Sequence, residues 1–190
     1  MAKVKRRAYR DQKYWGKPVP SFGDPRAHVL ILGLAPGAHG ANRTGRMFTG
    51  DKSGEFLFRA LYETGFANQP TSISGDDGLT LTGAYISASA HCAPPDNKPT
   101  REELLNCRPY LERELKLLKN LRVVVALGKI AFDTYLSLVK ERRAFGHNVK
   151  HDLNPALIAS YHPSQQNTST GKLTAAMLRE VFEQARALSS

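Results

Sequence analysis

Cysteine is scarce in this chain. Cys92 and Cys107 are the only two among 190 residues, too few for the stapled framework of a small secreted domain, and a single disulfide is disfavoured in a reducing compartment. No stretch approaches the ~18 consecutive apolar residues of a membrane span. The start, Met1-Ala2-Lys3-Val4-Lys5-Arg6-Arg7, is basic but is not followed by an apolar segment, so neither a spanning helix nor a secretory leader is expected. Internal repeats and low-complexity tracts are lacking as well. Acidic residues are outnumbered, 17 against 27 Lys and Arg, for a formal net charge of +10. Such a surplus sets up a positive field that draws polyanions. Many solvated surfaces carry similar charge, so the field alone does not select a partner.

What is present fits one ordinary domain: 190 residues, 41% hydrophobic and 23% charged, enough to bury a core. Residues 1–27 are basic, aromatic and rich in Pro and Gly, and read as an arm packed on the domain by Trp15 and Phe22; the domain proper is expected over 28–190. Four apolar runs read as buried strands: His28 to Gly33, Ala84 to Ala88, Leu121 to Gly128 and Ala156 to Tyr161. Helical spacing appears over 53–64 with Ser53 as its cap, over 101–119 with Thr100 and Glu103 as a capping box, from the third strand to about Val139, and over 173–188. Residues 140–155 are basic and polar and read as loop. Strands alternating with helices predict an α/β fold, a parallel sheet covered on both faces with right-handed crossovers. Ligands then lie at the carboxyl ends of the strands. The informative segments Gly33 to Arg46, Ser87 to Pro95 and His162 to Thr168 all fall there.

The first of these turns has the glycine spacing of a phosphate loop, but Arg46 and Met47 stand where Lys and Ser or Thr would be needed, and no dinucleotide fingerprint occurs. A tight turn remains, whose main-chain N–H groups can approach a small planar ligand. Glycines alone are equally consistent with a plain strand-to-helix turn. His162, followed by Pro163, sits on a turn at a strand end and can donate a hydrogen bond to a base leaving as an anion. The short polar side chains after it, Ser164 to Thr168, suit phosphate contacts. Phe48 is suited to stacking on a flipped base or to packing.

Four ordered segments, namely Gly33 to Asp51, Cys92 to Pro99, Asn106 to Pro109 and Tyr161 to Thr168, together resemble family 5, type B, of the uracil-DNA glycosylase superfamily. The likeness runs from about Tyr9 to the C-terminus. It implies a three-layer α/β/α sandwich on a four-stranded parallel β-sheet, and hydrolysis of the bond between a deaminated base and deoxyribose in double-stranded DNA. Uracil is the implied substrate, with hypoxanthine and xanthine as further ones. The base must first leave the stack; it then departs as an anion from a cationic sugar, so donors are needed at the base and a held water beneath the sugar. The resemblance also implies a cytoplasmic, nucleoid-associated repair enzyme, and a monomer is expected.

Carried over position by position, His162 stabilises the leaving base, Phe48 stacks on it, and Gly33, Leu34, Ala35 and Gly37 bind its edge. Ala88 is a further base-binding position; where relatives often place an Asn after the second strand to read the base, Ile86-Ser87-Ala88-Ser89 offers only small side chains, so a relaxed base preference is expected. Ala35 takes the place of the carboxylate or amide that orients water in other branches. Asn42, then His39, become the leading candidates for that task. Arg43, Arg46, Ser164, Gln165, Gln166 and Asn167 are expected to contact DNA. Similar proteins hold a [4Fe–4S] cluster on four cysteines, two from an N-terminal Cys-x-x-Cys. Here Cys92 and Cys107 match only the later pair, half of a ligand set, and two thiolates cannot hold a cluster alone. The rival reading is a non-catalytic binder of deaminated or mismatched DNA, which the inert Ala35 favours.

Overall fold

The computed structural model describes residues 5–189. The four apolar runs form the centre of one sheet: β2 (Val29–Gly33), β3 (Ala84–Ala88), β4 (Val123–Leu127) and β6 (Ala156–Ser160) are parallel, in the spatial order β3-β2-β4-β6. β2 and β4 are buried at every residue. Each strand feeds alternate side chains to two cores, which is why they read as continuous apolar runs. Val29, Ile31, Val123 and Val125 pack under α2 (Lys52–Glu63) and α6 (Ala175–Ser189). Leu30, Leu32, Val124 and Ala126 pack under α3 (Arg101–Leu117) and α4 (Lys129–Val139). The result is the expected three-layer sandwich.

The sheet has six strands rather than four. β1 (Phe22–Gly23) and β5 (Val149–His151) add short antiparallel edges beside β3 and β6. Neither carries an alternating apolar pattern: Val149 and Lys150 are exposed, so nothing in the polar 140–155 segment signals pairing. Two short helices, α1 (Ala41–Thr44) and α5 (Gln165–Ser169), also escape a periodicity argument because they hold about one turn each. The capping box on α3 is present, Thr100 accepting from Glu103 N–H while the Glu103 carboxylate accepts from Thr100 N–H. The cap on α2 is Asp51, not Ser53: its Oδ1 accepts from the Gly54 N–H at 2.9 Å.

The arm lies along the sheet edge and the first turn. Val19 is buried and its N–H bonds to the His91 carbonyl at 2.7 Å. Trp15, 45% exposed, lays its ring against Gly45, and Phe22 sits 5.1 Å beneath the Arg46 guanidinium. Ser21 and Ser87 both donate to the Glu114 carboxylate, joining arm, β3 and α3.

Candidate active site

A cleft of about 550 Å³ opens at the carboxyl ends of β2, β3 and β6, within the size range of small-molecule sites. Gly33, Leu34, Ala35 and Gly37 line it, together with Ala88 at the end of β3. Phe48 stands over Gly33, and a Cβ there would come within 2.9 Å of the ring, so only glycine lets the aromatic approach the strand end this closely. The Phe48 backbone has a positive φ of 51°, held in that conformation by the turn around it.

His162 faces the same cleft from the turn after β6, its ring 5.8 Å from that of Phe48 and tilted by 30°. Burial pushes its pKa down to about 4. At neutral pH the ring is therefore an uncharged imidazole with one N–H to give, which suits a donor to an anion that forms only during reaction. His39 also lines the cleft. Its Nδ1 shares a 2.9 Å hydrogen bond with the buried Tyr14 hydroxyl, and burial followed by the charges of Arg6 and Arg43 lowers its pKa. Ser164 and Gln165 complete the β6 side.

Several expected site residues lie elsewhere. Asn42 is 5% exposed and does not reach the cleft; its Nδ2 donates back one turn to the Ala38 carbonyl at 3.2 Å. The first turn of α1 thus points the amide into the protein, away from the cleft in which a water would be held. Arg46 is equally occupied: buried, it forks onto both Asp77 oxygens at 2.8 and 2.9 Å and also holds Thr49 and Ser72. Burial pushes the Asp77 carboxyl up, but the Ile73 N–H, Arg46 and the Leu79 N–H hold it below its ordinary range. Arg43 ties together the His39 carbonyl, Gln12 and the Gly50 carbonyl and stacks over Tyr9 at 4.2 Å. Both arginines are built into the turn, so neither offers a free guanidinium to DNA. Gln166 is exposed outside the cleft, and Asn167 braces the His162 carbonyl at 2.9 Å.

Cys92 is exposed and Cys107 partly so. Burial, then the neighbouring Cys107 and Glu103, pushes the Cys92 thiol up, away from the thiolate a cluster needs. Among the described residues no three His, Cys, Asp or Glu side chains converge on a metal-binding geometry. The two sulfurs do not fit a four-cysteine cluster by themselves.

Among the polar side chains that line the cleft without standing out in the sequence, Lys52 and Glu55 included, two are notable. Asp51 lines it with Oδ2 turned toward the Gly-rich turn: a Cβ at Gly40 would sit 1.9 Å from that oxygen and one at Gly37 3.0 Å away. Burial raises its pKa, against the N–H groups of Gly54 and Ser53. A carboxylate perturbed by desolvation inside a cleft is a candidate for acid–base work. Its position in sequence, three residues after Phe48 and directly before α2, is compatible with both a cap and a cleft residue, and Asp51 is both. Asn97 is the other, exposed at the rim with a positive φ of 56°. Arg6 and Tyr9 of the arm also reach the cleft.

The family described as the uracil DNA glycosylase superfamily matches residues 20–186. A type-5 uracil-DNA glycosylase from Thermus thermophilus is 51% identical over 190 residues, covering 97% of this chain and 86% of the relative. Type-5 uracil-DNA glycosylases from Mycobacterium bovis, 48% identical over 100% of this chain and 73% of the relative, and from Pyrobaculum aerophilum, 47% identical over 95% and 80%, are similar as well. A type-4 uracil-DNA glycosylase from Pyrobaculum aerophilum is further away, at 32% over 80% of this chain and 74% of the relative. With a neutral imidazole, a stacking ring and a desolvated carboxylate sharing one cleft on this sheet, the chain belongs to the uracil DNA glycosylase superfamily, within its type-5 branch.

Proposed function

We propose that this chain excises uracil from double-stranded DNA as a monomeric repair glycosylase in the cytoplasm, at the nucleoid. The observation that carries the reading is the pairing of neutral His162 with the buried carboxylate of Asp51 around Phe48 in one cleft. The flipped base stacks on Phe48 with its edge against the Gly33 to Gly37 main chain, and His162 donates its N–H to the base as negative charge develops there. The Asp51 carboxyl faces the developing cationic sugar and orients the attacking water, with the Asn97 amide as a second ligand to that water. Asp51 thereby takes the role that Ala35 cannot fill and Asn42 is turned away from. Its presence also weakens the case for a binder without chemistry.

Hypoxanthine and xanthine are proposed as further substrates. At the Gly-rich turn and at the end of β3, Ala35 and Ala88 carry no side-chain polar group to discriminate among base edges. Exposed lysines and arginines hold the duplex by its phosphates, aided by Ser164 and Gln165. Binding should therefore weaken steeply as salt rises.

A duplex with a single uracil opposite guanine, incubated with the protein and then treated with alkali, tests the reading. Strand scission at the uracil is expected, and scission at hypoxanthine and xanthine under the same conditions. Tight binding without scission would establish the binder instead.

A further inference from the structure

The 140–148 segment folds beneath the His162 turn and brings His147 against the end of β6. Pairing between β5 and β6 ends with Val149 opposite Ala159, and the Asn148 N–H still reaches the Ala159 carbonyl at 2.8 Å. The next backbone donor facing that edge, the Tyr161 N–H, has no strand opposite it. His147 Nδ1 accepts it at 3.2 Å, so a side chain supplies the rung that the sheet lacks. The imidazole also lies stacked on the Tyr161 ring, centroids 4.9 Å apart and planes at 17°. On the opposite edge the Ser160 carbonyl accepts from the Gly128 N–H at 2.7 Å, and beyond the turn Asn167 holds the His162 carbonyl.

We propose that His147 is a positioning residue for His162: as a neutral imidazole it holds the Tyr161 peptide and so fixes where the His162 ring enters the cleft. The inference rests on the reading of His162 as the donor to the leaving base. Stacking on Tyr161 could be performed by any flat ring; accepting an N–H requires a lone pair on Nδ1, and therefore the Nε2–H tautomer. Protonation would set one N–H against another and loosen the turn. Burial lowers the pKa of His147, while the Met177 carbonyl and Glu180 of α6 pull it the other way. The other titratable group against it is Tyr161, on which it stacks, and the Lys172 ammonium lies 4.9 Å over that same Tyr161 ring.

His147→Phe keeps the stacked ring and removes the acceptor. His147→Asn places an amide oxygen near the position of Nδ1 and cannot titrate. In single-turnover excision from the uracil duplex at neutral pH, His147→Phe is expected to be at least ~10-fold slower, with affinity for an uncleavable duplex within ~2-fold of wild type. His147→Asn should stay within ~3-fold of the wild-type rate, with a shallower fall in rate as pH drops. Equal losses in both variants, or a wild-type rate in His147→Phe, would overturn the proposal. Nitrogen NMR of the histidine rings reads the same point without activity. Wild-type His147 should be the Nε2–H tautomer at neutral pH, and the His162 ring resonances should move in His147→Phe but not in His147→Asn. A protonated Nδ1 on His147, or unmoved His162 resonances in the Phe variant, would also overturn it. Failure of the wild-type chain to excise uracil would sink the glycosylase reading separately, since the resonances report on positioning whether or not DNA is cut.

Discussion

The turns after β2 and after β6 face each other functionally and are held by different means. The β2 turn is fixed by charge and by the absence of side chains: Arg43 and Arg46 are consumed inside it, and Gly33 and Gly40 make room for Phe48 and Asp51. The β6 turn is fixed by neutral polar side chains, with Asn167 and His147 gripping the backbone on either side of His162. Arginine charge at the β2 end thus serves construction and leaves Asp51 as the group proposed for chemistry there, while at the β6 end an uncharged ring is kept for that purpose. A conspicuous arginine in a Gly-rich turn is consequently a poor guide to what touches the substrate.

The sharpest way to break this comparison is Asp51→Asn. Asn still caps a helix, so melting should change little, but loss of the carboxylate should slow excision by ~10²–10⁴-fold, the usual range for a general acid or base. An unchanged rate would leave the β2 turn without chemistry. Arg46→Met should act on stability instead, by about 3 kcal/mol, because it strands Asp77 without its partner; chemical denaturation would measure it. His162→Gln should slow excision by ~10²-fold, as expected for removal of one donor to a developing anion. It should also change the pH dependence of folding. With a folded pKa of about 4 against an ordinary 6.5, the unfolded chain binds the proton first as pH falls. Stability is present above pH 6.5 and lost on the way down to about 4, by up to ~3 kcal/mol. The variant should lack that share of the loss in melts across this range. Asn42→Ala should have the smallest effect, about 1 kcal/mol of stability from one lost hydrogen bond, with excision unchanged; a large loss of excision would return Asn42 to the mechanism.

Much of this was legible in the chain itself. Val29 to Gly33 and Val123 to Leu127 announce a parallel sheet because both faces are covered, and the short polar run after His162 places a site at a strand end. The two edge strands were hidden because two or three residues with exposed side chains carry no periodicity. The roles inside the β2 turn were hidden for another reason. Whether Arg46 points outward or onto Asp77, 31 residues away, and whether Asn42 or Asp51 faces the cleft, depends on side-chain direction within a single turn of chain, which spacing alone does not encode. His147 lay in a segment whose composition said only loop; its part in the site arises from the fold bringing it under β6.

The arm also has a consequence for handling the protein. Trp15 and Gly16 donate their N–H groups to the Arg43 and Asn42 carbonyls, and Gln12 holds the Arg43 guanidinium, so the arm and the cleft wall are one unit. The same arm carries exposed tryptic positions at Arg6, Arg7, Arg10 and Lys13. Limited proteolysis there would leave the sandwich folded and every proposed catalytic side chain in place, yet unmoor the turn that sets them. A nicked preparation would look sound in a melting curve and read as a poor enzyme.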